Sequence, residues 1–328
     1  MQGQATLKRL IHAMGWTAPL LDVLMLPLTL LAAAWFRIVR SWGLFKMPLT
    51  KRTFLCLGMF PIVDHYYDPL FDYRRLPTDA ARRSYVEMNV DAQLKFVSAL
   101  NCAEELRAFP LEPVADPVRY YLHNGSFEAG DAELYYSILR KTKPRRIIEV
   151  GSGFSTLVAI EGILRNKVED NEYTCSVTCI EPYEMPWLSK LDVQLVRKKI
   201  EDIDLTIFEQ FEAGDILFID SSHVIRPGGD VVFVILNVLP SLKKGVLVHF
   251  HDIFTPADYP VDWLKHHFRF WNEQYLLEAF LIDNNNFEVI CALNFLATHH
   301  WKQIEHAFPL MSCSAVKQPG SIWLRKVA

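Results

Sequence analysis

No Cys-x-x-Cys pair occurs in this chain of 328 residues. Its six cysteines, Cys56, Cys102, Cys175, Cys179, Cys291 and Cys313, follow no disulfide-framework spacing. That excludes the common zinc-ribbon patterns and the small disulfide scaffold, and a reducing compartment is the simple reading. Cys175 and Cys179 in "YTCSVTCI" share one face of a predicted strand, which suits a core better than a metal. Positive charge is not in excess either. Lys and Arg number 34 against 38 Asp and Glu, a net charge of −4, so nothing points to a nucleic-acid partner.

What charge there is lies unevenly. Residues 1–52 hold Lys8, Arg9, Arg37, Arg40, Lys46, Lys51 and Arg52 against Asp22, a sum of +6, which leaves −10 for the rest. Within this basic head, Val23 to Phe36 has no charged residue at all. That run is short for a membrane span, which needs about 20 residues. Counting from Leu10 makes it long enough but takes in Pro19, Asp22 and Pro27. A signal peptide fits poorly, because no small-x-small site follows and Arg37 and Arg40 come at once.

Two membrane readings stay open. One is a single span, with the later Lys and Arg residues keeping the body cytoplasmic. The other is a re-entrant or interfacial helix broken near Pro27, with both ends on one side. A buried core helix, or a dimer interface in a homo-oligomer, is the alternative without a membrane. The expectation is a membrane-associated head over residues 1–52, at the cytoplasmic face of a membrane.

Residues 53–123 read as helical and irregular. Phe60–Pro77 is aromatic and broken by prolines, and Thr78 to about Phe109 has the pattern of one amphipathic helix capped by Thr78 or Asp79. Pro110, Pro113 and Pro117 close the region.

From Arg145 the pattern becomes alternating strands and helices. "RRIIEV", "SVTCIEPY", "VQLVRKK", "DILFID" and "GVLVHFHD" read as five strands, and "FEVICALNFL" and "SIWLRKV" as two closing ones. "TLVAIEGILRN" and "DVVFVILNVLPSL" have helical spacing. This order implies a Rossmann-like α/β fold, a seven-stranded and mostly parallel sheet with helices on both faces. Ligands of such sheets sit at the carboxyl ends of the strands. Glu149, Glu181, Asp220 and the pair His251–Asp252 each fall at such an end.

"IIEVGSGFST" lacks the third glycine of a dinucleotide turn; Ser155 and Thr156 stand there instead. Together with "IEPY" and "FIDSSH", this stretch resembles the class I S-adenosylmethionine-dependent methyltransferases over residues 124–328. The resemblance implies donor contacts from Glu149, Gly151, Ser152, Gly153, Ser155 and Thr156 for the methionine part. It implies Glu181 at the ribose, with Glu201 and Asp202 facing the adenine.

Asp220 ends the fourth strand, His223 follows three residues on, and His251 and Asp252 end the fifth. Two carboxylates and an imidazole suit a divalent cation: Mg²⁺ or Mn²⁺ where oxygen dominates, iron or zinc given the histidine. The pattern resembles the metal-dependent sugar O-methyltransferase subgroup, which implies Asp220, His251 and Asp252 as metal ligands and His223, beside Asp220, as the base. His251 stands where that subgroup has an acid. Asp252 reaches the site only if the strand ends at His251, since alternate residues face opposite ways.

His249 shares a face with His251 and reads as a support or core residue; His266–His267 and His299–His300 read as helix surface. The aromatic segment after Thr255 reads as core or as a wall of the acceptor site, and Tyr120–Tyr136 as cover for the donor.

The expectation that follows is metal-assisted O-methylation of a sugar hydroxyl on a sugar- or lipid-linked acceptor at a membrane. The alternatives are an iron hydroxylase on the same fold and a non-catalytic donor-binding subunit that tethers a partner.

Overall fold

The computed structural model describes residues 17–63, 68–70, 82–183, 185–313 and 318–328. The chain divides into two compact units, Met1–Pro77 and Thr78–Ala328.

In the first unit, helix α1 (Ala18–Trp42) runs for 25 residues without a break at Pro27. A proline removes one backbone N–H and crowds the carbonyl four residues back. Here the helix continues through it, so the break near Pro27 that one of the two membrane readings supposed does not occur. Helix α2 (Pro48–Leu57) follows a short turn, opens on a proline and ends at Gly58. Phe36 and Phe54 meet edge to face, with ring centroids 5.4 Å apart. Arg40 forms an ion pair with Asp68.

In the second unit, the helix expected from Thr78 to Phe109 is two shorter pieces, α3 (Val90–Ser98) and a single turn at Ala103–Leu106. The proposed cap at Thr78 or Asp79 lies outside the described residues. Asn89 at φ 46° sets a left-handed start to α3, and residues 82–89 belong to no helix or strand. Buried Gln93 holds α3 to the sheet by accepting the N–H of Ala292 at 2.7 Å.

The order then runs α4 (Asp131–Thr142), β1 (Arg146–Val150), α5 (Phe154–Glu169), β2 (Ser176–Ile180), β3 (Gln194–Val196) and β4 (Ile216–Ile219). Next come α6 (Asp230–Ser241), β5 (Leu247–Phe250), α7 (Glu273–Leu281), β6 (Phe287–Ala292), α8 (Leu293–His299) and β7 (Ile322–Lys326). The seven strands form one sheet in the order β3-β2-β1-β4-β5-β7-β6. β1 to β5 are parallel, and β7 runs antiparallel between β5 and β6. This is the expected Rossmann-like sheet.

Both faces are buried, which is why the strands read as near-continuous apolar runs. On one face Ile147, Cys179 and Phe218 pack with Tyr135, Leu139, Leu157 and Val158 of α4 and α5. On the other, Ile148, Leu217, Val248 and Phe250 pack with Val231, Val234 and Val238 of α6 and Leu277 of α7. The strand expected over "FEVICALNFL" stops at Ala292, and Leu293 begins a helix after donating its N–H to Ser321. β3 is shorter than "VQLVRKK" because it is the edge strand and pairs only with β2. His266 and His267 lie just beyond the turn Val261–Lys265, exposed as expected. His299 ends α8, and His300 follows it.

Candidate functional site

The strand order reverses between β1 and β4, so a crevice opens at their carboxyl ends. Gly151 leaves β1 with φ +80°, and a Cβ there would lie 1.7 Å from the carbonyl oxygen of Asp220. The Asp220 N–H is bonded back to Val150 O at 2.9 Å. The turn after β1 is therefore pressed against the end of β4, and only glycine fits. Gly153 differs. Its φ is −174°, and a Cβ there would touch only Met185 at 3.9 Å.

Glu149 sits beneath this turn and is fully buried. Tyr135 donates its hydroxyl to one carboxylate oxygen at 3.1 Å, and Thr156 donates to the other. Burial pushes its carboxyl up to about 7, against the pull of these two hydroxyls. Both oxygens of the residue expected at the donor's methionine part are thus engaged by the protein. Thr156 Oγ1 also accepts the Gly153 N–H at 3.1 Å, which starts α5.

Glu181, at the end of β2, accepts the N–H of Tyr183 at 2.8 Å and of Ser152 at 3.4 Å. With Gly151, Tyr183, Ile200, Glu201 and Asp220 it lines a cleft of about 390 Å³. Asp202, expected beside Glu201, is exposed and does not line this cleft. The buried hydroxyl oxygens of Ser152 and Ser221 make no hydrogen bond among the described residues. A donor with hydroxyls and charged ends suits such a place, because an unpartnered buried polar atom costs stability until something meets it. The residues present fit S-adenosylmethionine in that sense.

A second cluster adjoins the first through Asp220. β5 ends at Phe250, and Asp252 then takes φ 58°, which turns it toward β4. Its turn needs Gly320, where a Cβ would lie 2.9 Å from the Asp252 backbone. His223, buried at φ 59°, points its Nε2 to Asp220 Oδ1 at 3.2 Å and to Asp252 Oδ2 at 3.6 Å. Two left-handed residues that are not glycine meet here, and such strain gathers at functional sites. Ligand atoms of Asp220, His223 and Asp252 all lie within 4.8 Å of one another.

His251 lies outside that compact trio. Its Nε2 pairs with Asp131 Oδ2 at 3.4 Å, while Nδ1 lies 3.4 Å from Asp252 Oδ1 and 3.7 Å from Asp220 Oδ1. The sequence placed His251 among the ligands and His223 apart as the base; by geometry His223 is the imidazole nearer Asp220, at 3.2 Å against 3.7 Å, and it is the one that groups compactly with both carboxylates, although His251 lies slightly nearer Asp252. Burial opposes the charging of both histidines, but the surrounding carboxylates win. His223 is raised to about 10, and His251 well above its usual value. Burial would likewise raise Asp220, but His251 and His223 hold it at about 2.

Three residues here escaped the sequence reading. Glu273 is wholly buried and meets His223 Nδ1 at 2.9 Å, with its other oxygen unpartnered. Trp271 covers the same imidazole, with ring centroids 4.3 Å apart. Asp131, at the first turn of α4, accepts the N–H groups of Gly320 and Ser321 besides facing His251. Acidity is the only signal Asp131 and Glu273 offer, and Trp271 was covered only as part of the aromatic segment after Thr255. His249 is a core residue, as expected: it stacks on Phe218 at 3.9 Å and bonds Ser321 at 2.9 Å. Burial keeps it well below its usual pKa, hence neutral.

Residues 148–253 match a methyltransferase domain family. The matched segment holds Glu149, Glu181, Asp220, His223, His251 and Asp252, and leaves out Asp131 and Glu273. The match supports a domain of the S-adenosylmethionine-dependent kind. An uncharacterized protein of Archaeoglobus fulgidus is 32% identical over 133 residues, 39% of this chain. The chain spans 58% of the length of that relative. A solved O-methyltransferase from Bacillus cereus, in complex with SAH, resembles 73% of this chain and 91% of its own at 14% identity, with a TM-score of 0.34.

Proposed function

We propose that the chain transfers a methyl group from S-adenosylmethionine to a sugar hydroxyl on a sugar- or lipid-linked acceptor. One observation carries the reading. The donor cleft and the Asp220–His223–Asp252 trio share Asp220 and lie at the ends of adjacent strands.

In this reading Glu181 holds the ribose hydroxyls, and the turn after β1 keeps the methionine part close to the sheet. Asp220, His223 and Asp252 would hold a divalent cation, which when bound lowers the pKa of an acceptor hydroxyl. The acceptor oxygen attacks the methyl carbon in line. The carbon–sulfur bond breaks with its electron pair going to sulfur, and the hydroxyl proton passes to a nearby base. Positioning does most of the work, because no covalent enzyme intermediate is needed.

A second reading is favoured by Glu273. A buried carboxylate at 2.9 Å from Nδ1 orients His223 as a general base aimed through Nε2; this needs no cation, but with the imidazole raised to about 10 it acts through the deprotonated fraction, so turnover should climb with pH toward 10. The test is methyl transfer from labelled donor to a glycan and lipid extract, after exhaustive chelation and after add-back of Mg²⁺, Mn²⁺, Fe²⁺ or Zn²⁺. Activity lost on chelation and restored by a cation supports the first reading. Full activity in the chelated enzyme supports the second. Oxygen-dependent turnover with iron would replace both by a hydroxylase, and donor binding without any turnover would leave a tethering subunit.

A further inference from the structure

Helix α1 spans 25 residues, about 37 Å at 1.5 Å per residue, and none of its most apolar window is buried within the protein. Large apolar side chains stand exposed at consecutive positions: Val23, Leu24, Met25 and Leu26, then Leu28, Leu30 and Leu31. At about 100° per residue, these cover every side of the helix. A helix that lies in a membrane surface keeps one polar face. This one has none between Val23 and Phe36; its one hydroxyl there, on Thr29, is turned inward to Met25 O at 3.1 Å.

The C-terminal end has a different chemistry. Trp35 and Trp42 are exposed beside Arg37, Arg40 and Lys46, and α2 follows with Lys51 and Arg52 and with exposed Leu49, Leu55 and Leu57. Tryptophan and basic residues at one end are the mark of a bilayer boundary.

We propose that α1 is inserted across a lipid bilayer, and that α2 rests on the anionic headgroups of the leaflet on the side of the methyltransferase domain. Five basic residues, Arg37 to Arg52, follow the apolar run and two, Lys8 and Arg9, precede it. That asymmetry sets the domain on the cytoplasmic side. The inference does not depend on methyl transfer.

The test is cell-free synthesis of the full chain with cytoplasmic-face-out membrane vesicles. The chain should stay in the pellet through high salt and alkaline carbonate at its full mass. Leu24→Arg with Leu31→Arg should release it, since each central arginine disfavours insertion by roughly 100-fold. Circular dichroism and donor binding of the released variant check that the domain still folds. In a C175S/C313S background, exposed Cys56 should react with an impermeant maleimide in these vesicles without detergent. Release by salt alone, a shortened mature chain, a soluble dimer without lipid, or protection of Cys56 would each overturn the proposal. A donor-binding failure with intact insertion would count only against the methyltransferase reading.

Discussion

Gly151 and Gly153 stand two residues apart and answer to different constraints. At Gly151 a methyl group would collide with the Asp220 carbonyl at 1.7 Å, and φ is +80°. Gly151→Ala should cost about 3–5 kcal/mol in denaturant unfolding and abolish donor binding, whereas Gly153→Ala should stay within about 1 kcal/mol. Glu149 gives a pH test. Its folded-state pKa, about 7, is raised above the ordinary 4.5, so protonation favours the fold. Its contribution is complete below 4.5 and is lost as pH rises through 7. Glu149→Gln should therefore melt like wild type at pH 4.5, yet be more stable by about 2–3 kcal/mol at pH 8, without donor. Glu273→Gln should lower turnover by about 10- to 100-fold and spare donor binding, because Glu273 touches His223 and not the cleft.

At the scale of elements, β1, β2, β4, β5 and β7 were legible as short apolar runs, because a sheet covered on both faces needs such runs. The long helix over 78–109 was not. Its periodicity is real, but Asn89 and the turn before Cys102 divide it, and neither carries a glycine or proline to announce a stop. The site was half legible. Asp220, His251 and Asp252 were found because they follow the ends of paired strands, and His223 because it stands three residues after Asp220. Asp131 and Glu273 were missed because nothing local marks a helix-starting carboxylate as the partner of a residue 120 or 50 positions away. Asp131 ties α4 to the segment before β7. Asp131→Ala should cost about 2–4 kcal/mol, since it removes the acceptor of two buried N–H groups and the partner of a buried imidazolium. Chemical denaturation of the two chains side by side measures it.

Across the whole molecule, the proposed cation gives a readout that needs no substrate. A ligand that binds only the folded state stabilises it by mass action, about 2.7 kcal/mol at a hundredfold excess over Kd. Saturating Mg²⁺ or Mn²⁺ should therefore raise the melting temperature of the chain by about 5–10 °C. Asp252→Asn should remove that rise. An unchanged melting temperature in wild type with every cation would argue for the metal-free base.

The antiparallel strand between β5 and β6 has a consequence for the timing of synthesis. Asp131 leaves the ribosome about 190 residues ahead of Ser321, its partner at 2.8 Å. At 5–20 residues per second that is a wait of roughly 10–40 s. At the end of that interval β5 and β6 have been made with no strand between them, and Asp252 still lacks the glycine that lets it turn. A nascent chain stalled before Gly320 would thus carry a finished α1 and an unfinished pocket. It could reach a bilayer well before it could hold an acceptor in place.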